Sequence, residues 1–312
     1  MKVFVAGASG AIGRHLIPAL VRAGHPVVAM TRPPGRIDAI QDMGAEPVVA
    51  DALDREAVME AVRAARPEVV VHQLTAIPAN ASFRTFDRDF ALTNRLRREG
   101  LDHLLAGARA VGAGRIVAQS YVGWNNARSG GPVKTEEDPL DPNPAPVFRE
   151  TQDTILYLEA TLRDAEGIDG VALRYGTLYG PGSGISRTGY VSEQVRRRRL
   201  PIVGRGTGVW SFVHLEDVAR ATVAARDRGA PAVYNIVDDD PAPVSEWLPA
   251  LAAAVGAKPP MHVPSFVGRL VGGEATVVVM NEIRGASNAK AKRELDWTLA
   301  YPTWRDGFRT GL

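Results

Sequence analysis

Residues 7–13, Gly-Ala-Ser-Gly-Ala-Ile-Gly, form the segment whose residue types and spacing point most directly to chemistry. Its glycines recur every third residue between an apolar run and a helical pattern. Gly7 permits a tight turn, Gly10 lets backbone approach a pyrophosphate, and Gly13 lets a helix pack closely on a strand. A helix starting here turns unpaired N–H groups and the positive end of its dipole toward phosphates. Gly7, Ser9, Gly10, Ala11, Ile12 and Gly13 are therefore expected to hold a dinucleotide. Thr31 stands 18 residues beyond Gly13, followed by Arg32, with Arg36 nearby. A carboxylate here would bind the free ribose hydroxyls of NAD, whereas Thr with Arg offers a cation to a 2′-phosphate. The expected cofactor is NADP(H). A second group of reactive side chains, Lys134, Glu136, Glu137 and Asp138, lies in a polar stretch and offers either acid–base groups or a solvated surface.

These residues need elements to position them. The runs 2–6, 26–30, 46–50, 68–72, 115–119 and 171–175 are short, apolar and rich in β-branched residues. Between most of them stand helical patterns, at 12–21, up to about 43, 55–64, 84–111 and 148–165. Strands alternating with helices predict an α/β fold with a doubly wound parallel sheet. Residues 125–146 are rich in Gly, Pro, Asn and acidic residues and read as a long loop. Beyond residue 176 the alternation breaks, although 211–225 and 232–237 still read as strand–helix and strand. The expected division is a Rossmann-type domain, 1–175 with 211–238, and a smaller substrate domain, 176–210 and 239–312.

Composition narrows the function classes. The 312 residues carry a net charge of +2, which gives no mandate for nucleic acid or an anionic membrane. The Arg196–Arg199 run is read as a solvated helix end. There is no cysteine, so disulfides, thiolate metal sites and thiol nucleophiles are excluded. No apolar run is long enough for a membrane span, and a cytoplasmic protein is expected.

Further segments resemble the extended short-chain dehydrogenase/reductase superfamily, which includes nucleotide-sugar epimerases and dehydratases. DALD (51–54), VVVHQLTA (69–76), LRYGTLYGPG (173–182), FVHLEDVARA (212–221), YNIVDDDPAPVSE (234–246) and NAKAKRELDW (288–297) carry the likeness along nearly the whole chain. The resemblance implies that Asp51 and Ala52 contact the adenine. It also implies that Leu74, Thr75 and Ala76 flank the cofactor, and that Asn94, Tyr175 and Thr177 lie beside it. It implies a small-molecule substrate between the two domains, lined by Trp124, Tyr190 and Trp210, and a homodimer through the two long helices.

The resemblance also exposes a departure. That family uses a YxxxK pair, one helical turn apart, in which lysine lowers the phenol's pKa for proton exchange at the substrate oxygen. If Glu159 is the glutamate that follows the pair, Ile155 and Thr151 occupy the two positions. None of the seven tyrosines is followed four residues later by lysine, so no other register restores the pair. The resemblance places Ser120 at or one step from the family's serine, with Tyr121 beside it; Ser120, Tyr121 and Thr151 are the catalytic candidates. Ser120 reads equally well as a strand-end hydroxyl bonding backbone. Tyr175, Tyr179 and His72 are further proton-transfer candidates, although Tyr179 suits a turn and His72 a buried core position. Three functions stay open: an NADP(H)-dependent reductase of a carbonyl or alkene by an atypical proton route, a redox-neutral isomerase, epimerase, dehydratase or cyclase, and a non-catalytic NADP(H)-sensing protein.

Overall fold

The computed structural model describes residues 1–312. Five strands open the fold: β1 (Val3–Ala6), β2 (Val27–Thr31), β3 (Glu46–Val49), β4 (Val69–His72) and β5 (Arg115–Tyr121). Six helices accompany them: α1 (Ala11–Arg22), α2 (Ile37–Asp42), α3 (Arg55–Ala65), α4 (Phe86–Arg95), α5 (Leu101–Ala110) and α6 (Arg149–Arg163). The strands Asp169–Tyr175 and Val233–Ile236 complete a seven-stranded sheet. From one edge the order is 233–236, 169–175, β5, β4, β1, β2, β3, and every pair is parallel. The chain walks outward from β1 to β3 and then returns to the other side of β1. That reversal opens a crevice beyond the carboxyl ends of β1 and β4.

The side-chain period of two splits β1 between two layers. Val3 and Val5 join the core formed with α1 and the helix Leu215–Ala225. Phe4 and Ala6 join the core under α3, α5 and α6. A third apolar cluster sits over one end of the sheet. It combines Phe86, Trp124 and Phe148 with Val244, Trp247, Leu248 and Phe308 from the last third of the chain. Ala291, Leu295 and Trp297 return to the first layer, so the tail spans both parts.

The long helix expected over 84–111 is continuous over Phe86–Ala110, but a π-helical turn, Leu96–Gly100, interrupts it. The loop 125–146 is irregular yet pinned down. Val133–Lys134 pairs in parallel with Gly285–Ala286, and Asn126 donates to the carbonyls of Arg284 and Gly285. Arg128 bridges Asp141 and Glu282.

Candidate active site

β1 ends at Ala6, opposite Met30 of β2 and His72 of β4. The register brings Gly7, Thr31 and Gln73 to one level at the crevice. Gly7 has φ +94°, and a Cβ there would lie 2.5 Å from the Gln73 carbonyl oxygen. At Gly13 a Cβ would lie 2.1 Å from the Ala8 carbonyl oxygen. Only glycine fits either place. The first bond of α1 runs from the Arg14 amide to Gly10 O, which leaves the amides of Ala11, Ile12 and Gly13 for a ligand.

An open groove of about 240 Å³ runs from this loop along the strand ends. It is lined by Gly7, Ser9, Gly10, Thr31, Arg32, Asp51, Ala52, Leu74, Thr75 and Ala76. Sequence reasoning missed Met30, Pro33, Ala50, Leu53, Gln73, Leu92 and Leu96, which line it too. These are apolar or amide side chains and carried no chemical signal of their own. Thr31 Oγ1 donates to Ser9 Oγ at 3.2 Å, tying the second strand to the phosphate loop. Arg32 is exposed on the groove wall, and Arg36 is exposed on the short turn Pro34–Arg36 beyond it. No acidic side chain stands at the end of β2. The free amides, the closely approached glycines and this uncharged-then-cationic strand end fit a nicotinamide dinucleotide.

The remaining expected residues divide between the strand ends and the scaffold beneath them. Ser120 is buried, and its hydroxyl donates to Glu159 Oε1 at 2.7 Å. Glu159 also holds Arg174 through two 2.7 Å bonds. A hydroxyl has one proton, so Ser120 cannot donate to a substrate carbonyl while this bond stands. Thr151 is buried, donates to Asp87 Oδ1 at 2.6 Å and accepts from Asn94 Nδ2 at 3.0 Å. Asp87 also accepts the amides of Glu150 and Thr151, so a residue of α4 caps α6. Asn94 and Thr151 thus serve the α4–α6 contact, and Ile155 is buried among apolar side chains.

Tyr175 accepts from Gln73 Nε2 at 2.9 Å and lies 2.8 Å from Thr222 Oγ1. Burial pushes its phenol up to about 12. His72 is fully buried; its ring bonds the Leu96 carbonyl through Nε2 and the Leu74 amide through Nδ1. One neutral tautomer, with the proton on Nε2, satisfies both, and burial pushes its pKa down to about 4. Tyr179 is buried against Gly307 and raised by burial. In the long loop, Lys134 pairs with Asp138, and Glu136 accepts the Asn235 amide.

Tyr121 ends β5, half-buried at the strand ends. Its oxygen lies 2.7 Å from where a Cβ on Gly123 would stand. Its ring stacks on Trp124 at 5.8 Å, and Trp124 stacks on Phe148 at 4.5 Å. Burial pushes the phenol up to about 12, partly opposed by Thr177 and by the charge of Arg97. Trp210 is half-buried with its indole N–H on the Val279 carbonyl, and Tyr190 is exposed. Arg97, absent from the sequence-derived candidates, left one trace: it occupies a core-facing phase of its helix, in step with Thr93, Gly100, Leu101 and Leu104.

Comparisons with known proteins match this architecture. Residues 3–237 fit the model of the NAD dependent epimerase/dehydratase family. A Streptomyces protein named 3-diazoavenalumate denitrifying reductase is 43% identical over 314 aligned positions, covering 98% of this chain and 99% of that protein. A Stenotrophomonas maltophilia 2-alkyl-3-oxoalkanoate reductase is 29% identical, covering 82% of this chain and 76% of that protein. Among solved structures, UDP-glucose 4-epimerase from Thermotoga maritima superposes with a TM-score of 0.76 at 22% identity, covering 100% of this chain and 97% of that one. With a sheet, a glycine loop and a strand-end groove of this kind, and a family match over three quarters of its length, the chain belongs to the NAD dependent epimerase/dehydratase family.

Proposed function

We propose that this protein is an NADP(H)-dependent reductase whose acceptor needs no proton delivered to oxygen. The observation that carries the reading is a complete nucleotide groove beside a helix with threonine and isoleucine where the proton-exchanging pair would stand. When bound, NADPH supplies a hydride. Reduction of a carbonyl also requires a proton at the resulting alkoxide, which an activated phenol gives in related enzymes. Here Thr151 and Ser120 commit their protons to carboxylates, and Tyr175 is enclosed between Gln73 and Thr222.

A diazo group makes no such demand. In R–N₂⁺ + H⁻ → R–H + N₂, hydride replaces dinitrogen and no oxygen is protonated. The name of the 43% identical reductase describes a reaction of this type. This chain's residues would then bind, orient and exclude water, which can supply much of a rate by positioning alone. Arg32 would hold the 2′-phosphate, and the amides of Ala11, Ile12 and Gly13 the pyrophosphate. Tyr121, a neutral phenol beside Trp124, would orient the acceptor.

The test is incubation of the protein with NADPH and an ortho-diazo phenol bearing an acrylic side chain. Expected are loss of NADPH absorbance and equimolar dinitrogen and deaminated phenol, with NADH much less effective. Turnover of 3-oxo esters but not of the diazo compound would replace this reading with conventional carbonyl reduction, to which the 29% identical reductase points.

A further inference from the structure

Arg97 has no role in the nucleotide groove or the proposed reaction. It is 5% exposed, on the inner side of the helical stretch 86–110. Its turn is fixed on three sides. The Leu96 carbonyl is held by His72 of β4, and Arg98 donates to Thr154 of α6. Gly100 lies so near Leu74 that a Cβ would come within 3.2 Å of that side chain.

The Arg97 side chain itself has no such tie. Its Nε is buried without an acceptor. No carboxylate pairs with the guanidinium; the ionisable groups beside it are the neutral His72 ring of β4 and the Tyr121 phenol at the end of β5. The two other buried arginines differ. Arg115 donates to the carbonyls of Ala225, Arg228 and Gly229 and to Asp169. Arg174 forks onto Glu159. A guanidinium carries five donors and keeps its charge near neutral pH, so burying one unpaired is costly unless an anion arrives. The cofactor's phosphates are served elsewhere, by the glycine loop and Arg32 on the β1–β2 side. Arg97 lies instead near His72 of β4 and Tyr121 of β5, whose ring stacks on Trp124.

We propose that Arg97 is a substrate-binding residue that receives the carboxylate of a planar aromatic acid, with the Tyr121 hydroxyl as a second donor. This deepens the reductase reading and rests on its placing the acceptor against Tyr121 at the end of β5. The charge is buried in advance of the ligand, so the site selects an anion rather than merely attracting one.

The test uses 4-hydroxycinnamate and its neutral amide, titrated calorimetrically with and without NADP⁺. The wild type is expected to bind the acid at least about tenfold more tightly than the amide. Arg97→Met should abolish that preference while weakening amide binding far less than acid binding, and Arg97→Lys should retain part of it. The ligand-free Tm of Arg97→Met should equal or exceed that of the wild type, because an unpaired buried charge is gone. Arg97→Gln repeats the binding test with a side chain that keeps hydrogen-bonding capacity. Equal binding of acid and amide by the wild type, binding of neither, or a lowered Tm in both neutral variants would overturn the proposal. Binding and Tm are read without turnover, so a failed diazo assay with intact discrimination would reject the reductase chemistry alone.

Discussion

At the scale of single residues, the proposed nucleotide choice falls on the end of β2, where Thr31 is buried against Ser9 and Arg32 lies open on the groove. Replacing Arg32 with Glu puts an anion where a 2′-phosphate would lie. KM for NADPH should rise by about tenfold or more, while that for NADH changes little or falls; steady-state kinetics with both nucleotides decide it. Unchanged NADPH kinetics would remove Arg32 from the site. Ser120 invites the opposite expectation. Its hydroxyl bonds a carboxylate that already has a bidentate arginine. Ser120→Ala should lower stability by about 1–2 kcal/mol and leave kcat/KM within about twofold, measured by thermal melts and initial rates. Gly7 and Gly13 were legible because only one residue type satisfies their geometry. Ser120 was not, since a strand-end hydroxyl reads the same whether it faces substrate or a buried glutamate.

At the scale of elements, the strand–helix alternation was legible from apolar runs and helical spacing, and the parallel sheet followed from it. The π turn was not, because it arises from packing: His72 holds Leu96, α6 holds Arg98, and Gly100 meets Leu74. The cap of α6 by Asp87 was hidden for the same reason, since the two residues lie 64 positions apart. His72 accepts the Leu74 amide only while neutral, and burial lowers its pKa from 6.5 to about 4. Between those values the unfolded chain binds the proton and the folded chain does not. Stability is therefore full above pH 6.5 and falls as pH drops toward 4, by roughly 3 kcal/mol at most from this residue. Denaturant midpoints from pH 7.5 to 4 should show that fall, and His72→Gln should flatten it. An equally steep fall in the variant would assign the acid sensitivity to other groups.

At the scale of the whole molecule, the strand–helix alternation stops after residue 176, and the role of the tail was not legible. Proline-rich joints and short helices carry little periodicity, and 289–312 could as well have stayed entirely with the third apolar cluster. Instead the tail fastens the sheet's first layer to the third cluster. Trp297 packs in the sheet's first layer and donates to the Asp217 carbonyl. The Asp217 carboxylate accepts the amides of Ala300 and Tyr301. The next turn crosses to the third cluster, where Asp238 accepts the Trp304 amide at 2.7 Å and Trp304 and Phe308 are buried. Asp217 and Asp238 are both held above the usual carboxylate range by burial, and the tail's amides offset part of that cost. Deleting residues 297–312 would remove three large aromatic or indole side chains from two cores and strip both carboxylates of those donors. Losses of several kcal/mol at each site exceed the margin by which domains are stable. The truncated chain should therefore show no cooperative thermal transition and no saturable NADPH binding, although the whole groove lies before residue 97. A truncated chain that melted sharply and bound NADPH as the full chain does would show that the nucleotide-binding half folds without its clasp.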